Sequence, residues 1–150
     1  MAKFIYRMQN ILNIKEKLET QARNEFAESQ ARLNEELDKL DQIIKRKASY
    51  EEEGRRLRNS AINIRDINDN KYALERMDEL IILQENNVKK AEKNLDIARE
   101  KLKEAMQETK IHTKLREKAF EQFKKDLIAE ESKEVDELTS YTYGQRIKDN

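Results

Sequence analysis

Apolar residues in the first part of the chain recur in steps of three and four. They are Phe4, Met8, Ile11, Leu18, Ala22, Phe26, Leu33, Leu37, Leu40 and Ile44, with Lys15 and Gln30 on the same stripe. That period belongs to a helix with one apolar seam. Two consecutive steps of four, from Leu18 through Ala22 to Phe26, form a stutter that locally relaxes a left-handed supercoil. The pattern repeats at Met77, Leu80, Ala91, Leu95, Ala98, Leu102 and Ala105, and resumes at Ala119, Phe123 and Leu127. One seam per half means that each helix needs a partner.

The seam fails between Gly54 and Asn70. There Asn59-Ser60 and Asn68-Asp69-Asn70 gather small polar residues that compete for backbone hydrogen bonds, and Asn70 can cap a helix starting at Lys71. The spacing therefore predicts an all-α fold, a long two-helix antiparallel coiled-coil hairpin forming one elongated domain over 1–150. Helix one is expected at about 3–58, the turn at about 59–70 and helix two at about 71–139, followed by a polar tail over 140–150, around Tyr141, Tyr143 and Gly144, that frays. At 1.5 Å per residue the helices would run on the order of 80 and 100 Å, and paired positions would sum to about 130. That register brings Leu37 near Leu95, Phe26 near Ala105, and Phe4 near Phe123 or Leu127.

Composition agrees with long helices. The chain has no proline, no cysteine, no tryptophan and 2 glycines, and 41% of its residues are charged. With 37% hydrophobic residues and a mean hydropathy of −1.06, it has too little apolar surface for a thick core, but enough for a thin seam. Its 31 basic and 31 acidic residues cancel, which argues against nucleic acid or an anionic membrane as a bulk electrostatic partner. Pairs such as Glu19 with Arg23, Glu28 with Arg32, Glu35 with Lys39, Asp41 with Lys45 and Glu85 with Lys89 place acid four residues before base, each supporting an exposed helix by roughly 0.2 to 0.5 kcal/mol. Most of the charge is read as a solvated face. Met1 to Ile14 is interrupted by Lys3, Arg7, Gln9, Asn10 and Asn13, so it contains no leader-like apolar run and no membrane span, and a cytoplasmic protein is expected.

Candidate chemistry is sparse. Asp66, Asn68 and Asn70 match the opening spacings of a calcium-binding EF-hand loop, but Lys71 stands at the obligatory glycine and Met77 at the closing glutamate. His112, the lone histidine, lies on the seam between Thr109 and Leu115, where it sets register rather than binding zinc. Glu35-Glu36 and Glu130-Glu131 are read as exposed charge on a helix, not as a catalytic carboxylate pair. No enzyme, metal, cofactor or small-molecule substrate is expected. Apolar residues in excess of one seam do occur. Ile62, Ile64 and Ile67, with Tyr72, Ala73, Leu74, Met77 and Leu80 to Leu83, crowd the turn and the start of helix two, and exposed patches of this kind mark interaction sites. Phe4, Ile5, Tyr6 and Met8 with Phe120 and Phe123 form a second group at the opposite end.

The opening Lys3-Phe4-Ile5-Tyr6-Arg7-Met8-Gln9-Asn10-Ile11-Leu12, followed by Lys15, Lys17-Leu18-Glu19 and Ala22, resembles the N-terminus of the FliJ family. The late Lys133-Glu134-Val135-Asp136-Glu137-Leu138 resembles that family's C-terminal signature. The resemblance implies a coiled-coil component of the bacterial flagellar type III export apparatus, similar to the central stalk of rotary ATPases. Such a protein inserts into the hexameric export ATPase ring, promotes its assembly and activity, contacts the membrane export-gate protein and cycles export chaperones at the inner face of the membrane. The family's gate contact, an aromatic, an apolar, a small or apolar residue and a histidine at steps of four, three and four, falls here on Ala73, Met77, Leu80 and Gln84. The aromatic and the histidine are absent, and Tyr72 is one residue away. Phe4, Arg7, Met8, Tyr141 and Arg146 are the residues expected at the ATPase ring, on the assumption that the joined termini face it. An export-chaperone escort, an injectisome stalk and a generic structural coiled coil are the alternatives.

Overall fold

A computed structural model describes residues 2–149. Two helices, α1 (Gln9–Asn59) and α2 (Ile64–Asp149), pack against each other as an antiparallel hairpin, with no strand among the described residues. Both glycines lie inside helices without positive φ, so nothing in either helix breaks it.

The turn is much shorter than the predicted 59–70 and occupies only residues 60–63. Asn63, not Asn70, caps α2: its Oδ1 accepts from the backbone N–H of Arg65 at 3.1 Å. Ser60 Oγ donates back to Arg56 O at 3.1 Å, closing α1. Asp66 in the first turn of α2 and Arg56 and Arg58 in the last turn of α1 suit the helix dipoles. The polar cluster Asn68-Asp69-Asn70 reads locally as a turn, but it lies within α2 because Asn70 has a buried partner across the hairpin.

Contacts divide the chain into two compact units, Thr20–Glu104 and Met1–Glu19 with Ala105–Asn150. In Thr20–Glu104 the core consists of Leu33, Val88, Ala91 and Leu95, with Phe26 and Leu40 packed against it. The Arg99 guanidinium covers the Phe26 ring at 5.9 Å. Nearer the turn the filling is polar and specific. Asn70 Nδ2 donates to Tyr50 O at 2.8 Å, and Gln84 Nε2 donates to Glu36 O at 2.8 Å and to the Glu36 carboxylate. Lys47 pairs with Asp78 at 2.8 Å, which holds its ammonium above its ordinary range. These partners correct the predicted register: Gln84 meets Glu36 where a longer turn would have brought Asn94.

In the other unit Leu12 is buried. Thr109 Oγ1 donates to Lys15 O at 3.2 Å, Arg116 Nε donates to Gln9 Oε1 at 2.9 Å, and Lys15 pairs with Glu108 at 3.5 Å. Helix one begins at Gln9 rather than residue 3. The segment before it carries Phe4 onto Phe120 and Phe123, at 5.1 and 5.4 Å between ring centroids, with Arg116 over the Phe4 ring at 5.6 Å. Edge and tilted aromatic pairs of this kind add about 0.5 to 1.5 kcal/mol beyond the area they bury. The expected meeting of Phe4 with Phe123 is therefore present, though it is made from outside the helix. Residues 140–149, expected to fray, continue α2. Thr142 Oγ1 bonds back to Leu138 O at 2.9 Å, and no proline interrupts the segment.

On α2 every predicted seam position, from Met77 and Leu80 through Leu95 and Ala98 to Phe123 and Leu127, is buried or half-buried, and the seam differs from the predicted one only on α1. From Leu12 onward the covered positions on α1 include Lys15, Glu19, Ala22, Phe26, Ser29, Leu33, Glu36, Leu40, Ile43, Lys47, Tyr50, Gly54 and Leu57, which alternate in steps of three and four without a stutter, with Gln9 and the predicted Gln30 half-buried beside them. Met8, Ile11, Leu18, Leu37 and Ile44, predicted seam residues, are between 38% and 48% exposed. Each of the last four stands one residue from a seam position, a rotation of about 100° around the helix. Lysine and glutamate can fill the seam because their stems pack while their charged ends stay in water.

Candidate docking surfaces

The seam is closed by shape as well as by apolar contact. Gly54 is buried beneath Asn70, and a Cβ at position 54 would stand 2.6 Å from Asn70 Oδ1. The glycine is therefore a notch for the amide. Asp66, Asn68 and Asn70 lie on a helix with the Asn70 amide turned to Tyr50 O, which is not the geometry of a calcium loop. His112 is mostly covered, with Nε2 at 3.8 Å from Glu108, whose carboxylate also faces Lys15, and a buried Nδ1 without a hydrogen-bond partner.

Residues expected to dock an export gate are divided by this packing. Met77 and Gln84 are buried against α1, and Ala73 and Leu80 are half-buried. Only Tyr72 stands out, at 66% exposed. The cause is arithmetic: the four-three-four spacing coincides with the heptad that the hairpin uses, so internal packing occupies most of the positions it selects. The exposed apolar side chains here are Ile62, Ile64, Tyr72, Ile82 and Leu83. Tyr72 and Leu83 are about three turns apart and share a face of α2. Leu83 was legible only as one of a crowded run; its exposure depends on which neighbours the seam takes.

The residues expected at the ATPase ring are also separated. Phe4 is half-buried on Phe120 and Phe123, while Arg7 and Met8 are exposed. Tyr141 and Arg146 are exposed on α2, with Tyr141 about 27 Å beyond Phe123 at 1.5 Å per residue. The expected joined termini are therefore not joined. Every position from Glu130 to Ile147 is exposed, and no described residue of α1 runs beside it. This stretch of α2 is a bare helix carrying Val135, Leu138, Tyr141, Tyr143 and Ile147 into solvent.

Among the described residues no group of histidine, cysteine and carboxylate side chains could hold a metal ion, and no helix is long and apolar enough to cross a membrane. An open recess of about 540 Å³ beside Ser29, Arg32, Glu35, Ala91 and Asn94 is a gap between side chains on the flank of the seam. It contains no nucleophile paired with a base.

This arrangement defines an all-α helical-hairpin protein whose apolar side chains outside the seam lie on exposed helix faces. A family model described as "Flagellar FliJ protein" matches residues 4–148. The chain belongs to the FliJ family, and is accordingly a coiled-coil protein of flagellar export. Neither the comparison with curated proteins nor that with solved structures returned a match.

Proposed function

We propose that this protein is a stalk-like coupling element, which enters the hexameric export ATPase ring with the free end of α2, promotes ring assembly and ATP hydrolysis, and links the ring to the membrane export gate. The observation that carries the reading is the bare helix Glu130–Ile147 in a member of this family. This end of α2 has no helix packed beside it, and a surrounding protein would supply the contacts it lacks. A single helix in a six-fold ring cannot touch every subunit alike. It can therefore favour one catalytic state at one site at a time, which is a differential contact of the kind that coupling requires. The protein would act on the cytoplasmic side of the membrane, at the flagellar base.

ATP hydrolysis and ring assembly by the cognate ATPase, measured with and without the chain, test this. Stimulation with ring formation is expected. Substituting the exposed pair Tyr141→Ala and Arg146→Glu should remove most of it, while Arg7→Glu tests whether the start of the chain also contributes. Absence of stimulation by the folded native chain would sink the stalk reading and favour an escort for export chaperones.

For the gate, Met77→Ser is a poor probe because Met77 is a core residue. Tyr72→Ala with Leu83→Ser leaves the seam intact. It should weaken binding to the gate protein about tenfold or more, as loss of an aromatic anchor does, with unchanged thermal unfolding. Unchanged gate affinity would remove this face from the proposal.

A further inference from the structure

We propose that the bare end of α2 pairs with the same segment of a second copy in antiparallel orientation. Ile128, Glu131, Val135, Leu138, Thr142 and Gln145 recur in a three-four alternation of their own, one residue off the hairpin seam whose last covered position is Leu127. Ile128, Val135 and Leu138 are 65%, 60% and 66% exposed in the single chain, so the apolar positions of the stripe are uncovered. Two identical stripes can meet in parallel or antiparallel, and the charges decide between them. Glu130, Glu131, Glu134, Asp136 and Glu137, relieved only by Lys133, make the first half of the segment acidic, while residues 138–145 carry no charge and are followed by Arg146. A parallel pair would stack the two acidic halves and set Glu131 against Glu131 on the seam, where like charges cost most.

The antiparallel pair sets each acidic half against the neutral half of the other copy. With the two-fold axis between Asp136 and Glu137, Leu138 of each copy packs on Val135 of the other, giving a centre of four aliphatic side chains. Glu131 then faces the Thr142 hydroxyl, which can donate to it, Ile128 faces Gln145, and Glu134 flanks the Tyr141 phenol. Such an interface is isologous, one surface used twice, and closes at two copies. It does not rest on the ATPase reading. If both hold, pairing and ring entry compete for the same stretch of helix.

Sedimentation of the purified full-length chain over about 5 to 500 µM tests the proposal, since a self-association shifts with concentration by mass action. The mass should rise from 17.9 kDa toward twice that value. Leu138→Glu should hold it at the single-chain mass, with helical content unchanged because Leu138 touches nothing within its own chain's seam. Orientation is read by disulfide trapping, for which the absence of native cysteine leaves a clean background. A mixture of Val135→Cys and Leu138→Cys chains should give mainly the mixed dimer. A single-chain mass at every concentration would overturn the pairing and leave the stripe to another protein. Predominant Leu138→Cys self-dimers would overturn the antiparallel register.

Discussion

Leu95→Ala should lower the free energy of unfolding by roughly 2 to 4 kcal/mol, the usual result of deleting a buried leucine side chain and leaving a cavity. Leu37→Ala should cost less than about 1 kcal/mol, in the range of substitutions that remove little buried area. By apolar spacing the two residues belong to the same layer. In the fold Leu95 is 5% exposed within the Leu33, Val88 and Ala91 cluster, whereas Leu37 stands beside the seam at 43%. A two-helix seam has few neighbours to close a gap, so Leu95 should lie well inside that range rather than below it. Denaturant titration followed by circular dichroism checks both. Equal losses at the two positions would show that Leu37 is in the seam and would contradict the register.

Gly54→Ala is expected to destabilise the hairpin by about 1 to 2 kcal/mol, against the ordinary helix preference for alanine, which alone would stabilise by roughly 0.5 to 1 kcal/mol. The methyl group would stand 2.6 Å from Asn70 Oδ1. That amide cannot simply swing away, because Asn70 is buried and its Nδ2 is bonded to Tyr50 O. Displacing it leaves a buried polar group unsatisfied, at about 1 to 3 kcal/mol. The double substitution Gly54→Ala with Asn70→Ala removes both the clash and the amide, and should recover most of the loss. A double-mutant cycle read by thermal unfolding measures the coupling, expected at 0.5 to 3 kcal/mol in the range for residues in contact. Additive effects would mean that the glycine and the amide do not meet.

The Gly54–Asn70 contact illustrates what could be read in advance. Gly54 marks a break in a sequence pattern, and Asn70 marks a cap, because both tendencies are local. Their joint role, a notch and the amide that fills it, needs residues far apart in the chain to be adjacent. The same holds for Glu36 and Gln84, which resemble an exposed acid and a gate-facing residue until they are found bonded to each other. The candidate gate site suffered most, because its spacing was that of the seam. Tyr72 was legible, as an aromatic off the stripe. So were Phe4 and Phe123, since large aromatic residues at one end of a thin protein have few places to pack.

The sequence alone determined the class of protein: two long helices, from the three-four recurrence and the lack of proline; a thin seam, from low apolar content; no thiol chemistry; and the FliJ family, from the two ends of the chain. These are properties of short windows, of counts or of motifs. The face that α2 buries was also read from its periodicity, whereas tertiary structure decided the face that α1 buries, the four-residue turn, the register and the bare end of α2. Periodicity specifies a stripe only to within a neighbouring position. The choice between neighbours is made by contacts across the hairpin, where an unbroken heptad filled partly by lysine and glutamate stems is favoured over a stutter that would follow every leucine.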